Sequence, residues 1–348
     1  MNAGAVTALV TTGVQVRADD VETSLWHTAQ RARLAACFAE GANPCNRTDN
    51  RIRTVSAYGE ANVVLAPWLH VRPGLRIDQL TWDVEDLDPE TVTDPARTTG
   101  GTAQRAIVSP KLSFELHADD NVSFFLNGGA GFHSNDARAA VRSGGPGALA
   151  RALGTEVGVR MRPHARARLA ADAWYLRLSS EQVWSGDAGG TEPSDPTRRF
   201  GLDVEGSLDA TPWLALDASI TWARATLVAN QGNGGALALA PRWMGAAGAT
   251  ARSATGFVSV RTRGIADRPG NADGTLTAAG YLIVDVVAGR TLGRWDLNLT
   301  FSNALNAAWR EAQFAEASRV TPTAPLVEQM HYTPGMPLTA TVTAAVTF

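Results

Sequence analysis

Three groups of side chains in this sequence have types and spacings that could do chemistry. His133, Ser134 and Asp136 place a base, a hydroxyl and a carboxylate within residues 133–136, which are the parts of a nucleophilic site. Such a site needs its groups brought together by geometry, usually from separated stretches of chain. Neighbours along one strand are a poor match, so loop structure or contact with a bound ligand is the better reading. Gly128, Gly129, Ala130 and Gly131 have the composition of a phosphate cradle. They fall inside a strand pattern and open no helix, so close strand packing fits them better. Asp187 and Glu192 lack the regular ligand spacing of a calcium loop, and neither Cys nor His recurs at zinc spacing. No metal, no cofactor and no enzymatic activity are expected.

The arginines Arg72, Arg76, Arg160 and Arg168 recur at strand centres. A guanidinium forms two parallel hydrogen bonds to an anion, so these residues suit an anionic ligand. Pairing with Asp and Glu on neighbouring strands is the more common use. Cys37 and Cys45 close one short loop, ACFAEGANPCNR. That arrangement suits a disulfide in an oxidising compartment, the alternative being two free thiols.

The elements that must position these groups are strands. Alternation with period two recurs from end to end. Leu69, Val71, Leu75 and Ile77 oppose His70, Arg72, Arg76 and Asp78, and Val108, Leu112, Phe114 and Leu116 oppose Ser109, Lys111, Ser113, Glu115 and His117. Similar patterns cover 54–65 and 294–303. About fourteen such segments of 10–16 residues exceed the usual soluble strand and match tilted strands that cross a bilayer. The links alternate in length. Short turns fall at Ala66–Pro67, His117–Asn121, Arg162–Arg166, Asp209–Pro212, Ala251–Ala254 and Leu292–Arg294. Long polar links fall near 19–52, 84–103, 134–151, 185–197, 227–238, 267–277 and 307–336. Short turns at one rim and long loops at the other are the habit of outer-membrane barrels.

Composition agrees. Charged residues make up 19% of 348, the net charge is −3, and no basic surface for nucleic acid is implied. Mean hydropathy is −0.10, as expected where lipid-facing and lumen-facing residues average out. No run of about 18 apolar residues exists, which excludes a helical span. Trp68, Trp213 and Trp295 follow short turns, and Trp82 and Trp222 lie further along two of those strands. Both placements suit aromatic girdles. Parity puts Trp222 and Trp295 outward and Trp68 and Trp213 inward.

Several strings resemble one family. FHSNDAR (132–138), ALGTEVGVR (152–160), GDAGGTEPSDPTRRFGLDVE (186–205), FSNALNAAWREAQFA (301–315) and the terminal HYTPGMPLTATVTAAVTF are similar to the barrel of TonB-dependent receptors. The resemblance implies an all-β, antiparallel up-and-down transmembrane barrel over residues 1–348, about fourteen strands of a 22-stranded parent. An open, curved half-barrel is favoured over a closed one. The resemblance further implies an outer-membrane location in a Gram-negative bacterium and uptake of a scarce small molecule such as a ferric siderophore. The chain shows no plug-like stretch or TonB box before its first strand, so lipid is an expected partner and the TonB complex one only through a missing plug. Active transport by the chain alone is not expected, and a self-closing passive pore or structural barrel is the alternative. Ligand contacts are expected from His133 and Arg138 in the upper lumen, with Arg72, Arg76 and Arg160 below.

Overall fold

Alternation with period two asks for strands whose two faces differ, and the structure consists almost wholly of such strands. The computed structural model describes residues 6–26, 28–29, 32–33, 46–87, 99–134, 136–142, 149–180, 182–185, 190–193, 195–228, 235–321 and 323–348. The first strands are β1 (Thr7–Leu25), β2 (Thr28–Ala29), β3 (Ala32–Arg33), β4 (Asn46–Ala66), β5 (Leu69–Asp86), β6 (Gly101–His117) and β7 (Val122–Ser134). A six-residue helix, α1 (Ala137–Arg142), follows. Then come β8 (Leu149–His164), β9 (Ala167–Leu178), β10 (Gln182–Ser185), β11 (Gly190–Pro193), β12 (Thr197–Thr211), β13 (Leu214–Leu227), β14 (Trp243–Arg252) and β15 (Gly256–Ile265). The last are β16 (Arg268–Pro269), β17 (Thr277–Ala278), β18 (Tyr281–Leu292), β19 (Trp295–Ser302), β20 (Arg310–Ser318), β21 (Val327–Pro334) and β22 (Thr339–Val346).

Fourteen strands form one sheet in the order β1-β4-β5-β6-β7-β8-β9-β12-β13-β14-β15-β18-β19-β22. Neighbours in the sheet are successive long strands, so the expected antiparallel meander is present. The other strands form four two-stranded ribbons, β2-β3, β10-β11, β16-β17 and β20-β21, all inside long connections. The six short turns stand where the sequence placed them. At Gly293 φ is +63°, a conformation that costs a residue without Cβ little.

The chain divides into two compact units. The first takes in Met1–Glu115, Asn127–Thr155 and Leu176–Pro196; the second takes in Leu116–Leu126, Glu156–Tyr175 and Thr197–Phe348.

In the first unit the register is Val16↔Val55 and Val14↔Ala57 between β1 and β4, and Ala57↔Ile77 and Gly59↔Leu75 between β4 and β5. These residues share one exposed apolar face: Val14 is 74% exposed and Ile77 47%. The opposite face carries Ser56 and Asp78, each 1% exposed. One step further along the strands the polarity exchanges. The face that was apolar now bears Asp20, Glu22, Arg47, Asp49, Arg51, Arg53, Asp83 and Glu85. The face that was polar bears Leu80, Trp82 and Val84, all buried. There Leu80, Trp82, Val84 and Ile107 pack with Ala137 and Ala140 of α1. Trp82 was expected at an aromatic girdle. It is fully buried instead, because it belongs to this exchanged segment.

The first long link also begins later than 19–52. β1 runs to Leu25 and β4 starts at Asn46. Both faces are polar there, so alternation disappears from the sequence while pairing continues. Thr23 and Thr48 share a hydroxyl hydrogen bond of 2.8 Å, and Arg53 reaches Asp20 at 2.9 Å.

In the second unit the apolar face is continuous from strand to strand. Across β12 and β13 it pairs Leu202 with Trp222, Val204 with Ile220 and Leu208 with Leu216. Across β15, β18, β19 and β22 it continues through Val260 and Val286, then Phe301, Leu299 and Val342. Phe200 meets Trp222 edge-on at 5.5 Å, and Trp222 meets Trp243 at 6.4 Å. Trp222 and Trp295 share the apolar face, as parity predicts. Trp68 and Trp213 sit in the turns themselves, each 55% exposed, where strand parity no longer sets direction.

Candidate functional site

The charged face holds the candidate ligand-facing groups, and strand register fixes which of them meet. In the first unit, β5 places Arg72, Arg76 and Asp78 on one face at two-residue steps. Arg76 donates from Nε to Asp78 Oδ1 at 2.8 Å and from Nη2 to Ser56 Oγ at 2.8 Å, and Ser56 donates to the same carboxylate at 2.6 Å. A buried carboxylate with these donors around it is satisfied. Arg72 donates to Glu115 at 2.8 Å, and Lys111 to Glu60 at 2.6 Å. Arg72 and Arg76 are therefore paired, the commoner of their two expected uses.

His133 lies exposed near the end of β7. Arg138 lies in α1, where its guanidinium takes Asp136 in a two-point contact of 2.9 and 2.6 Å with its side chain 6% exposed. Asp136 also caps α1 by accepting from Arg138 N at 2.9 Å. Burial pushes the Asp136 carboxyl up, but the hydrogen bond and charge of Arg138 and the backbone N–H groups of Arg138 and Ala139 hold it below its ordinary value. His133 and Arg138 are thus at the long-loop end of the unit, and Arg72 is near the short turn at Pro67–Trp68. Cys37 and Cys45 fall outside the described residues.

In the second unit the charged face borders a cavity of about 580 Å³ whose lining includes Arg160, Arg162, Arg168, Glu205, Asp217 and Ser123. Asp217 is taken by Arg261 at 2.7 Å. Arg160 lies over the Phe125 ring at 4.6 Å. Further along, Arg263 pairs with Asp285 at 2.5 Å, and Trp174 Nε1 donates to Asp203 at 2.6 Å. Gly201 makes room for that indole: a Cβ there would meet Trp174 Cζ2 at 2.5 Å and the Trp222 carbonyl at 2.6 Å. Arg261, Arg263 and Trp174 were not among the sequence candidates. The signal for the two arginines was present, since both share one parity in GFVSVRTRGI (256–265).

The family model for the TonB-dependent receptor-like β-barrel matches residues 7–307. This chain belongs to the TonB-dependent receptor β-barrel family. No curated protein sequence matches it significantly. Among solved receptor structures, it is similar to the ferric citrate transporter FecA in its unliganded form, with a TM-score of 0.71 and 14% identity, covering 99% of this chain and 52% of that one. The siderophore receptor PiuA from Acinetobacter baumannii gives 0.73 and 14%, covering 99% and 53%. The copper transporter OprC gives 0.73 and 15%, covering 98% and 54%. At these identities the likeness shows the receptor fold alone, and the chain spans about half the length of each. The family and its structural neighbours are receptors and transporters, not enzymes, which agrees with the dismissal of His133, Ser134 and Asp136 as a catalytic set.

Proposed function

We propose that the chain is part of an outer-membrane uptake receptor of a Gram-negative bacterium, with its apolar face against lipid and its charged face toward the path of a small nutrient such as a ferric siderophore. One observation carries the reading: in a chain of this family, the exposed side of register-paired strands is aliphatic and aromatic. On β13 that side runs from Leu216 through Ile220 to Trp222, register-paired with Leu208, Val204 and Leu202 of β12. The substrate class rests on two supports. The related structures are named for ferric citrate, siderophore and copper transport, and the 580 Å³ cavity sets Arg160, Arg162 and Arg168 beside Asp120, Glu205 and Asp217, a mixed charged lining that suits a polar chelate.

Energised uptake needs a two-state element that an energy source can bias. Among the described residues the chain is a paired sheet with one short helix, which supports the reading that this chain by itself binds ligand without concentrating it. The test is expression in a strain deleted for its receptors, with outer-membrane insertion confirmed and uptake of a radiolabelled ferric siderophore measured with and without TonB. Surface binding without TonB-dependent accumulation is expected. Accumulation that requires TonB would contradict the inactivity. A steady single-channel conductance would favour a passive pore.

A further inference from the structure

The polar rim above the apolar face is not uniform. On β1, β4 and β5 every rim arginine has a carboxylate. Arg51 reaches Asp49 at 3.1 Å, Glu85 at 3.5 Å and Asp83 at 3.7 Å; Arg53 reaches Asp20 at 2.9 Å and Arg47 reaches Glu22 at 3.6 Å. On β8 and β9 the pattern breaks. Leu153 and Val157 put the odd residues of β8 on the apolar face, at 58% and 55% exposure, so Arg151 stands at its upper edge. Leu169 and Tyr175 do the same for β9, which puts Arg177 beside it. Ser179 N donates to the Arg151 carbonyl at 2.8 Å, so Ser179 lies opposite Arg151 and Arg177 is its diagonal neighbour on the same face. Both arginines are exposed, and neither has a carboxylate partner among the described residues. Two like charges side by side are unfavourable in a sheet, and a local rule broken without compensation marks a site.

These two residues flank a groove of about 380 Å³ shared with Ile107, Val108, Leu153 and Pro196. Ala130 and Gly131, which carry little or no side chain, also line it. Its lower wall is aliphatic and continuous with the apolar face. A groove with an aliphatic wall below and two guanidiniums above matches one kind of ligand, an amphiphile with an acyl chain and a phosphate. We propose that Arg151 and Arg177 hold the headgroup phosphate of a membrane lipid, with its acyl chain laid along Val108 and Leu153. The proposal rests on the apolar face lying against lipid. Guanidiniums bind phosphate through two parallel hydrogen bonds, and basic side chains at the membrane surface draw anionic lipid.

The test is native mass spectrometry of the full chain released from nanodiscs that contain phosphatidylglycerol and phosphatidylcholine in equal amounts. The protein is expected to retain phosphatidylglycerol preferentially, and the R151Q/R177Q pair to lower that retention about tenfold. The R51Q/R53Q pair, on rim arginines that already have partners, is expected to leave it within about twofold. Inorganic phosphate in excess should not displace the lipid. Equal retention of the two lipids, or unchanged retention in R151Q/R177Q, would overturn the site, as would displacement by inorganic phosphate. Failure of the wild-type chain to enter nanodiscs at all would overturn the membrane reading, and is a distinct result. R151K/R177K keeps the charge without the paired donors and is expected to fall between wild type and R151Q/R177Q.

Discussion

At the scale of the residue, exposure decides what each ion pair is worth. Asp78 is 1% exposed, and Arg76 is the charged partner that neutralises it. Removing one partner of a buried pair leaves an uncompensated charge, at a cost of about 3–5 kcal/mol when both are buried. Arg76 is itself about a third exposed, so Arg76→Ala is expected to cost about 2 kcal/mol. Arg72 and Glu115 are 50% and 20% exposed, and Arg72→Ala is expected to cost under ~1 kcal/mol. Chemical unfolding in detergent micelles measures both; equal losses would refute the ranking. Asp136 adds a pH dependence. Its carboxyl is held below the ordinary value, so its contribution is complete above the unfolded value near 3.9 and is lost as pH falls through the lower folded value. The docking of α1 should therefore persist through neutral pH and fail only in strong acid. The difference in fluorescence between wild type and Trp82→Phe reports it, since Trp82 lies under α1. An undocking transition near pH 6 would contradict the assignment.

At the scale of the element, the exchange of polarity along β5 explains what could and could not be read from the sequence. Between Leu69 and Asp78 one parity is aliphatic and the other charged, and strand, register and face were all legible. From Leu80 to Val84 the aliphatic residues move to the other parity, and a single rule misassigns Trp82. The helix α1 is six residues long, too short for a 3.6-residue period to show. Nothing in the spacing of Arg151 and Arg177 brings them together in the sequence; the pairing of β8 with β9 makes them diagonal neighbours at the apolar edge. The ligand role of Arg72, Arg76 and Arg160, read from guanidinium chemistry at strand centres, and that of His133 and Arg138, expected in the upper lumen, stay proposals. The packing under α1 makes a direct forecast. Trp82→Ala removes the largest fully buried side chain of that cluster and is expected to cost about 3–5 kcal/mol. Hydrogen exchange should show α1 released while β12–β15 stay protected; loss of protection throughout would mean that the cluster is not a local lock.

At the scale of the whole molecule, the proposed function requires that the apolar face of the sheet meet lipid. An arginine on that face near the middle of the band should cost about 2–4 kcal/mol in a bilayer. Val260, 44% exposed and paired with Ala249 and Val286, is the position for it. The most direct measurement places spin labels singly at residues 258–263, in a background lacking Cys37 and Cys45, with the protein in lipid vesicles. Accessibility to oxygen, which concentrates in lipid, is compared with accessibility to a water-soluble nickel chelate. Alternation with period two is predicted, oxygen dominating at Val258, Val260 and Thr262 and the chelate at Ser259, Arg261 and Arg263. Absence of alternation, or alternation in the opposite phase, would contradict it.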